Sequence, residues 1–365
     1  MRHFLLGTSA LLSALLVAPA AHAELDVNVG GYVSFQAGAF DNDQANGSDR
    51  DFRSKSEVRV TATGTADNGL EYGARIDLLT STDLTQNARR TGIYAQGRYG
   101  RVEFGDLDGA SNNLAVLSPS VGIGQVNGSY VNFVPTASRP AGSVVDTGGG
   151  MIRSIDSDQA TKVTYYTPRI SGVQAGISYV PEVDSQEDGE QVQFFDNVGN
   201  QADMVELGLN YRNVFDNGVR LRAGATYDMS EAKDGSGRED VRAWGLGLRV
   251  GYEGFEVGGG YVDNGDSNNN AGVADDNETA FHAGVRYEQG AWGIAANYIH
   301  EDYDQNGGRG VTTVGGDYSA FVLGGAYKIT EGLSAGADLA FFDRDTDTGT
   351  DDDGYVLVLE TKASF

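Results

Sequence analysis

The sequence has 365 residues, with 52 acidic against 26 basic side chains, 52 Gly, 18 Tyr, 15 Phe, 6 Pro and no Cys. The absence of Cys excludes disulfides, iron–sulfur clusters, thiolate zinc sites and a cysteine nucleophile. The formal charge of −26 argues against nucleic acid as a partner, because such binding neutralises phosphates with Lys and Arg. Abundant Gly and aromatic residues with few Pro favour β structure. Length alone does not decide the number of domains, since closed barrels often exceed the usual domain size.

The first 23 residues have the pattern of a secretory signal peptide. Arg2 supplies the basic start, residues 4–17 form an apolar run, and Ala21-His22-Ala23 matches an A-x-A cleavage site. We expect cleavage after Ala23, which leaves one domain at 24–365 with 25 basic and 52 acidic side chains, a net charge of −27. No later segment offers the roughly 20 consecutive apolar residues of a transmembrane helix.

The mature chain begins with a long alternation of apolar and polar residues. Even positions from 26 to 36 are polar or Gly, whereas the odd positions are apolar or small: Leu25, Val27, Val29, Gly31, Val33, Phe35, Ala37 and Ala39. A period of two predicts an extended strand with one apolar face and one polar face. Its fifteen residues exceed the five or six that are usual in soluble sheets.

The same alternation recurs along the whole mature chain. It predicts sixteen strands, at 25–40, 51–66, 70–80, 88–99, 101–106, 160–168, 172–180, 203–213, 218–228, 240–251, 255–263, 278–287, 291–300, 317–328, 332–342 and 354–365. Short turns such as Asp67-Asn68-Gly69 alternate with longer acidic connections, and the longest of these is 107–158.

These features together predict an all-β transmembrane antiparallel barrel of the outer-membrane type. Lipid offers no hydrogen-bond partners to the backbone, so a sheet can span the bilayer only when it has no open edge. A secreted soluble β protein would explain neither the polar inner face nor the alternation of loop lengths.

Two segments around the longest connection carry a family resemblance. The segment 97–106 reads Gly-Arg-Tyr-Gly-Arg-Val-Glu-Phe-Gly-Asp, and the segment 160–172 reads Ala-Thr-Lys-Val-Thr-Tyr-Tyr-Thr-Pro-Arg-Ile-Ser-Gly. With the terminal Phe365, they resemble the corresponding hairpins and terminal aromatic of the general porins of Gram-negative outer membranes. The resemblance covers 24–365 and implies a homotrimer of sixteen-stranded barrels. It also implies that loop 3, about 107–158, folds into the lumen.

The resemblance further implies a constriction where acids on loop 3 face a basic cluster on the opposite wall. The candidates on the wall are Arg53, Lys55, Arg59, Arg75, Arg90 and Arg98. The candidates on loop 3 are Asp106, Asp108, Asp146, Asp156 and Asp158. Opposed fixed charges create a transverse field across a narrow aqueous pore and bias which ions enter it. The loop lacks the Pro-Glu-Phe-Gly-Gly run of some porins, so the resemblance does not define its path.

We predict an outer-membrane porin that lets ions and small hydrophilic solutes diffuse passively, in contact with outer-membrane lipid and lipopolysaccharide. The net charge of −27 favours cations, whereas the basic wall would reduce or reverse that preference. The alternative is a channel specific for a sugar, a phosphate or a dicarboxylate, which would need an aromatic slide or a basic ladder along the lumen. An enzyme is not predicted, because nothing places a serine, a histidine and an orienting group together.

No cofactor is predicted, and one acidic segment is a weak candidate for a metal site. Asp343, Asp345 and Asp347 occupy alternate positions, which approaches the pattern of a calcium loop. The Gly at position 349 falls one place late for an EF-hand, and no Glu follows at position twelve of the loop. A structural Ca²⁺ or Mg²⁺ site therefore remains a hypothesis beside a solvated acidic loop.

Overall fold

The computed structural model describes residues 25–42, 48–79, 88–134, 152–183, 201–271, 277–303, 315–346 and 351–365. The predicted signal peptide and its cleavage site lie outside these residues, as do Asp146 and Asp347. The strands are β1 (Asp26–Asn42), β2 (Arg50–Thr65), β3 (Glu71–Leu79), β4 (Ala88–Gly97), β5 (Gly100–Asp106), β6 (Thr161–Tyr166), β7 (Val173–Glu182), β8 (Gln201–Val214), β9 (Arg220–Ala232), β10 (Val241–Tyr252), β11 (Phe255–Gly265), β12 (Glu278–Gln289), β13 (Trp292–Tyr303), β14 (Gly316–Thr330), β15 (Leu333–Thr346) and β16 (Asp352–Ser364).

These strands form one closed antiparallel barrel. Each strand pairs with the next in sequence, and β1 pairs with β16 to complete the circle. The closing register runs from Tyr32 opposite Ser364 to Asn42 opposite Gly354. The backbone of Gly31 also exchanges two hydrogen bonds with that of Phe365, with N–O distances of 2.9 and 3.1 Å. The predicted sixteen-stranded antiparallel barrel is therefore confirmed.

The outer face of the barrel is apolar. Val29 and Ile294 each leave about three fifths of their surface exposed, on strands whose alternate residues face the lumen. Aromatic pairs lie near the short turns, where the Trp292 and Tyr327 ring centroids are 4.2 Å apart and those of Phe255 and Tyr287 are 4.3 Å apart. Such rings favour the level of the lipid headgroups. No helix among the described residues has the length and apolar content needed to cross a bilayer.

The connection between β5 and β6, loop 3, lies inside the barrel and supplies much of its core. It contains the short helix α1 (Ala110–Leu114) and two 3₁₀ turns, Gln125–Asn127 and Ser129–Phe133. Ala110 and Leu114 pack against Tyr166 of β6 in one buried cluster. Tyr130 and the residues around it form a larger cluster with the inner face of β13–β16.

Two lumen-facing glycines let loop 3 lie directly on the wall. A Cβ on Gly247 of β10 would fall 1.8 Å from the carbonyl oxygen of Val116, and one on Gly38 of β1 would fall 2.2 Å from the Phe133 ring. Both distances are far below van der Waals contact, so any side chain at these positions would displace the loop. Because Gly247 and Gly38 have no side chains, loop 3 contacts the backbone of the wall at these two positions.

Candidate functional site: the lumen constriction

The basic side of the lumen is a compact cluster centred on one buried carboxylate. Asp77 of β3 pairs in register with Arg59 of β2 on one side and Arg90 of β4 on the other. Its side chain has no solvent exposure and accepts hydrogen bonds from Arg59, 2.8 Å from Nε to Oδ1, and from Arg75, 2.9 Å from Nε to Oδ1. The Nη1 atom of Arg90 lies 3.9 Å from its Oδ2 atom. Three predicted arginines therefore share a counter-ion.

A second carboxylate joins this cluster to the start of loop 3. Arg90 donates two hydrogen bonds of 2.9 Å to the two oxygens of Asp108, a bidentate geometry that is among the stronger ion pairs. Burial opposes ionisation of this carboxyl, but the hydrogen bonds and charge of Arg90 outweigh it and hold the pKa of Asp108 below its usual value. Asp108 is therefore a fixed negative charge at the root of the loop.

Two of the other wall candidates lie further along β2, and the third lies in a turn. Arg53 and Lys55 occupy the same face of β2 as Arg59, closer to the long-loop end of the strand. Arg98 lies in the turn between β4 and β5, where its guanidinium stacks 4.3 Å from the Tyr99 ring centroid. A turn position at the rim of the barrel explains why the structure does not bring Arg98 into the cluster.

Of the loop 3 acids, three more are described besides Asp108. Asp106, predicted on loop 3, is instead the last residue of β5, where it accepts hydrogen bonds from the hydroxyls of Thr91 on β4 and Thr161 on β6. Asp156 accepts hydrogen bonds of 2.9 Å from Asn112 Nδ2 and from the backbone N–H of Asp158. Burial, followed by the negative charges of Asp156 and Asp108, raises the pKa of Asp158. Among these four acids, the structure joins only Asp108 directly to the basic cluster.

Two acids of the cluster, Asp77 and Glu57, were not predicted as site residues. Glu57 is 3.1 Å from Arg59 through Oε1 and Nη2. A signal was present in the sequence, because both acids lie two residues from an arginine on the polar face of the same strand. Residues spaced by two in a strand point to the same side.

A cavity of about 490 Å³ separates the β2–β5 wall from loop 3. Most of the residues that line it have polar or charged side chains, among them Arg75, Arg90, Tyr94, Arg101, Asp108, Asn113 and Arg212, and Ile93, Leu107 and Leu114 add apolar surface. The polar groups of this lining can solvate ions and hydroxylated solutes. Among the described residues, the lining contains no cluster of catalytic groups.

Loop 3 is held against the opposite wall through its backbone carbonyls. Asn210 Nδ2 donates to Leu114 O at 3.0 Å, and Asn297 Nδ2 donates to Pro119 O at 3.0 Å. Between these two contacts along the loop, Arg249 donates to the carbonyl oxygens of Leu117 and Ser118. After them, Arg286 donates to the carbonyl oxygen of Ser120. This row of donors from four strands fixes an extended segment that lacks regular structure.

The acidic segment near residue 345 is not assembled as a metal site within the described residues. Asp343 and Asp345 face outward near the long-loop end of β15, and their register partners are Asp353 and Asp317 respectively. Among the described residues, no three acidic or histidine side chains are close enough to hold a metal ion. Asp347 lies outside those residues, so the metal site stays a prediction.

A closed barrel with an apolar outer face and a polar lumen narrowed by an inward loop defines an outer-membrane channel. The model of the Gram-negative porin family matches residues 8–347. The chain belongs to the Gram-negative porin family, and it is a channel rather than an enzyme.

Curated relatives match over short stretches. A porin of Rhodobacter capsulatus is 39% identical over 69 residues, 19% of this chain and 23% of that protein. An uncharacterized protein of Rickettsia bellii is 26% identical over 162 residues, 40% of this chain and 36% of that protein. The chain thus matches less than two thirds of the length of these relatives.

Solved structures match over nearly the whole chain. The anion-selective porin from Comamonas acidovorans is 15% identical and covers 94% of this chain and 100% of its own, with a TM-score of 0.63. The in-vitro folded OmpT of Vibrio cholerae in its trimer form is 14% identical and covers 93% of this chain and 99% of its own, with a TM-score of 0.62. At these identities the likeness concerns the fold.

Proposed function

We propose that this porin is a general diffusion channel whose narrowest part lies between the arginine cluster of β2–β4 and loop 3. The cavity of about 490 Å³ between these two elements carries the proposal. It is lined by charged, hydroxyl and amide groups, which exchange hydrogen bonds with water and small hydrophilic solutes. Solutes cross down their gradients, and loop 3 sets the size limit.

The arginine cluster of β2–β4 adds only a weak charge preference, since its opposite charges are close and compensate one another. Arg59 and Arg75 share Asp77, and Arg90 holds Asp108 in a bidentate pair. Paired charges present a local transverse field and little net potential along the pore. The acidic net charge outside the constriction favours cations at the mouth, and the paired cluster does not reverse it.

The mature protein resides in the outer membrane after cleavage following Ala23, surrounded by lipid and lipopolysaccharide. Association into a homotrimer is supported by the outward face of β1, where Val27 and Val29 are exposed and small residues follow at Ala37 and Ala39. The trimer form of the Vibrio cholerae protein supports the same assembly.

Liposome swelling tests the diffusion function directly. Proteoliposomes are diluted into isotonic solutions of neutral sugars of increasing size, and the swelling rate is measured. We expect the rate to fall smoothly with sugar size, without saturation. Equal mass of heat-unfolded protein is the control, and rapid swelling with one sugar alone would instead favour the specific channel.

A further inference from the structure

Three arginines form a row across the lumen wall opposite the β2–β4 cluster. Arg212 of β8 is the direct cross-strand partner of Arg222 of β9, and Arg222 is in turn the partner of Arg249 of β10. Direct partners on antiparallel strands have Cα atoms about 4.5–5.5 Å apart. Like charges placed directly opposite one another destabilise a sheet. The row therefore requires a compensating charge.

Among the described residues, a protein group supplies the compensating negative charge only beside Arg249, at one end of the row. Arg249 has Glu256 3.7 Å away and donates to loop 3 carbonyls, but Glu256 is shared with Arg286 at 2.7 Å. In the part of the chain that the structure describes, the guanidiniums of Arg212 and Arg222 form neither an ion pair nor a hydrogen bond. Both side chains are exposed to the lumen.

The surroundings of Arg212 add further positive charge. Arg169, in the turn before β7, donates to Asn210 Oδ1 at 3.1 Å and to Gln174 Oε1 at 2.7 Å. Burial, followed by the charge of Arg212, lowers the pKa of Arg169. This part of the wall is thus strongly electropositive in a molecule whose net charge is negative.

The row is placed where a passing solute meets it. Asn210 and Gly224, the next inward positions toward the long-loop end, are covered by loop 3, whereas Arg212 and Arg222 are not. Arg212 also lines the cavity of the constriction. Of the four arginines in that lining, Arg75, Arg90 and Arg101 pair with carboxylates, so Arg212 is the one without a counter-ion among the described groups.

We propose that Arg212 and Arg222 form a transient binding site for small dianions, phosphate or dicarboxylates, on the short-turn side of the constriction. Guanidinium forks match the planar, two-oxygen geometry of carboxylate and phosphate groups, and two forks on adjacent strands match two negative charges. The site rests on the channel function proposed above and adds a saturable step to it. Wide exposure to water keeps residence short enough for conduction to continue.

Inorganic phosphate at pH 8 tests the site in planar bilayers. Single-channel conductance in KCl is recorded while potassium phosphate is titrated at constant ionic strength. We expect a saturable fall in conductance for the parent protein. In the double variant Arg212→Gln/Arg222→Gln, the phosphate concentration that produces half of the conductance change should rise about tenfold or more. The reason is that each lost charge-assisted hydrogen bond weakens binding several-fold. Succinate in a second arm distinguishes dicarboxylates from phosphate.

Arg98→Gln is the control for loss of positive charge at the same end of the barrel: it removes one charge, from a turn, where the double variant removes two. It should retain the parent response. Thermal unfolding in detergent gives an independent readout: phosphate should raise the Tm of the parent but not of the double variant. Without phosphate, the double variant should be at least as stable as the parent, since a repulsive contact is removed.

Equal phosphate responses in parent and double variant, or a parent response that never saturates, would overturn the site. Loss of the diffusion function would be seen separately, as a parent protein that conducts no current in KCl alone. The two failures are therefore distinguishable in the same recording.

Discussion

At the scale of single residues, Asp77 decides the electrostatics of the constriction. It is fully buried and yet ionic, because Arg59 and Arg75 surround it with donors and Arg90 is 3.9 Å away. A buried carboxylate is stable only when it is paired and hydrogen-bonded. Its removal leaves three guanidiniums on one wall with two acid partners, Glu57 beside Arg59 and Asp108 beside Arg90.

Asp77→Asn should therefore shift the channel toward anions. A unit charge acting at 4–8 Å in a water-like medium contributes about 0.5–1 kcal/mol, so we expect the anion-to-cation permeability ratio to rise about two- to fivefold. The reversal potential under a KCl gradient measures it. Asp26→Asn removes the same charge from the exposed start of β1 and should leave the ratio unchanged; equal shifts in both variants would contradict the role of Asp77.

The two loop 3 acids with shifted pKa values should titrate in a defined order. The pKa of Asp158 is raised above its usual 3.8, so Asp158 loses its charge first as the pH falls. The pKa of Asp108 is lowered from 3.8, so Asp108 stays ionised until lower pH. We expect protonation of Asp158 above pH 3.8 to move the reversal potential toward anions. The shift should be smaller in Asp158→Asn than in the parent protein and retained in Asp108→Asn.

Strand alternation was enough to predict that Arg59, Arg75 and Arg90 point into the lumen. It places Asp77 beside Arg75 on β3, but it could not reveal that Asp77 also neutralises Arg59 and Arg90, because those contacts depend on the register between β2, β3 and β4. Register follows from turn geometry and from which face is buried, and a period of two leaves several shifts by two residues equally compatible with the pattern. The same limit hid the Arg212–Arg222 row.

At the scale of elements, loop 3 is shaped by the wall rather than by its own secondary structure. Gln125 is buried and donates to Asp338 from both its backbone N–H, at 3.0 Å, and its Nε2, at 2.7 Å. Its side chain also bonds both the N–H and the carbonyl of Val121. This one residue thus closes a turn of the loop and fixes that turn to β15.

Gln125→Ala should loosen loop 3 while the barrel stays folded. The substitution leaves groups of Asp338 and Val121 buried without partners, at a cost of about 1–3 kcal/mol for each unsatisfied group. We expect noisier single-channel currents and a lower Tm. Gln289→Ala, at the exposed end of β12, is the control and should behave as the parent. A quiet, fully stable Gln125→Ala channel would contradict this anchoring.

A pair of glycine substitutions tests where the loop rests. Gly247→Ala places a Cβ 1.8 Å from Val116 O, so we expect displacement of loop 3 and altered conductance, with a stability loss of about 1–3 kcal/mol from overpacking. Gly325→Ala on β14 meets open space and should change neither quantity. Unchanged conductance and Tm in Gly247→Ala would mean that the loop does not contact β10.

The path of loop 3 could not be predicted from sequence, although its inward fold followed from the family resemblance. The loop is anchored by carbonyl oxygens, which every residue carries and which leave no residue-type signal. The residues that indicate the path of the loop are on the wall instead: lumen-facing glycines such as Gly247 and hydrogen-bond donors such as Asn297. Those positions become informative only once the loop is known to lie on them.

At the scale of the whole molecule, the sequence specifies the architecture strongly. Sixteen predicted strands overlap the sixteen observed ones, because two strong constraints act together. Lipid requires an apolar outer face and water a polar lumen, which produces the period of two. The absence of hydrogen-bond partners in lipid requires closure, achieved where β1 meets β16. Selectivity depends instead on a few side-chain pairings inside the lumen.

The central claim is an open, weakly selective aqueous pore through a barrel narrowed by loop 3. Single-channel recording of the refolded protein in planar bilayers, with the reversal potential taken under a KCl gradient, tests it most directly. We predict ohmic current steps and a reversal potential close to that of a nonselective pore. A correctly folded barrel that carries no current, or that conducts only one class of solute with early saturation, would contradict the account.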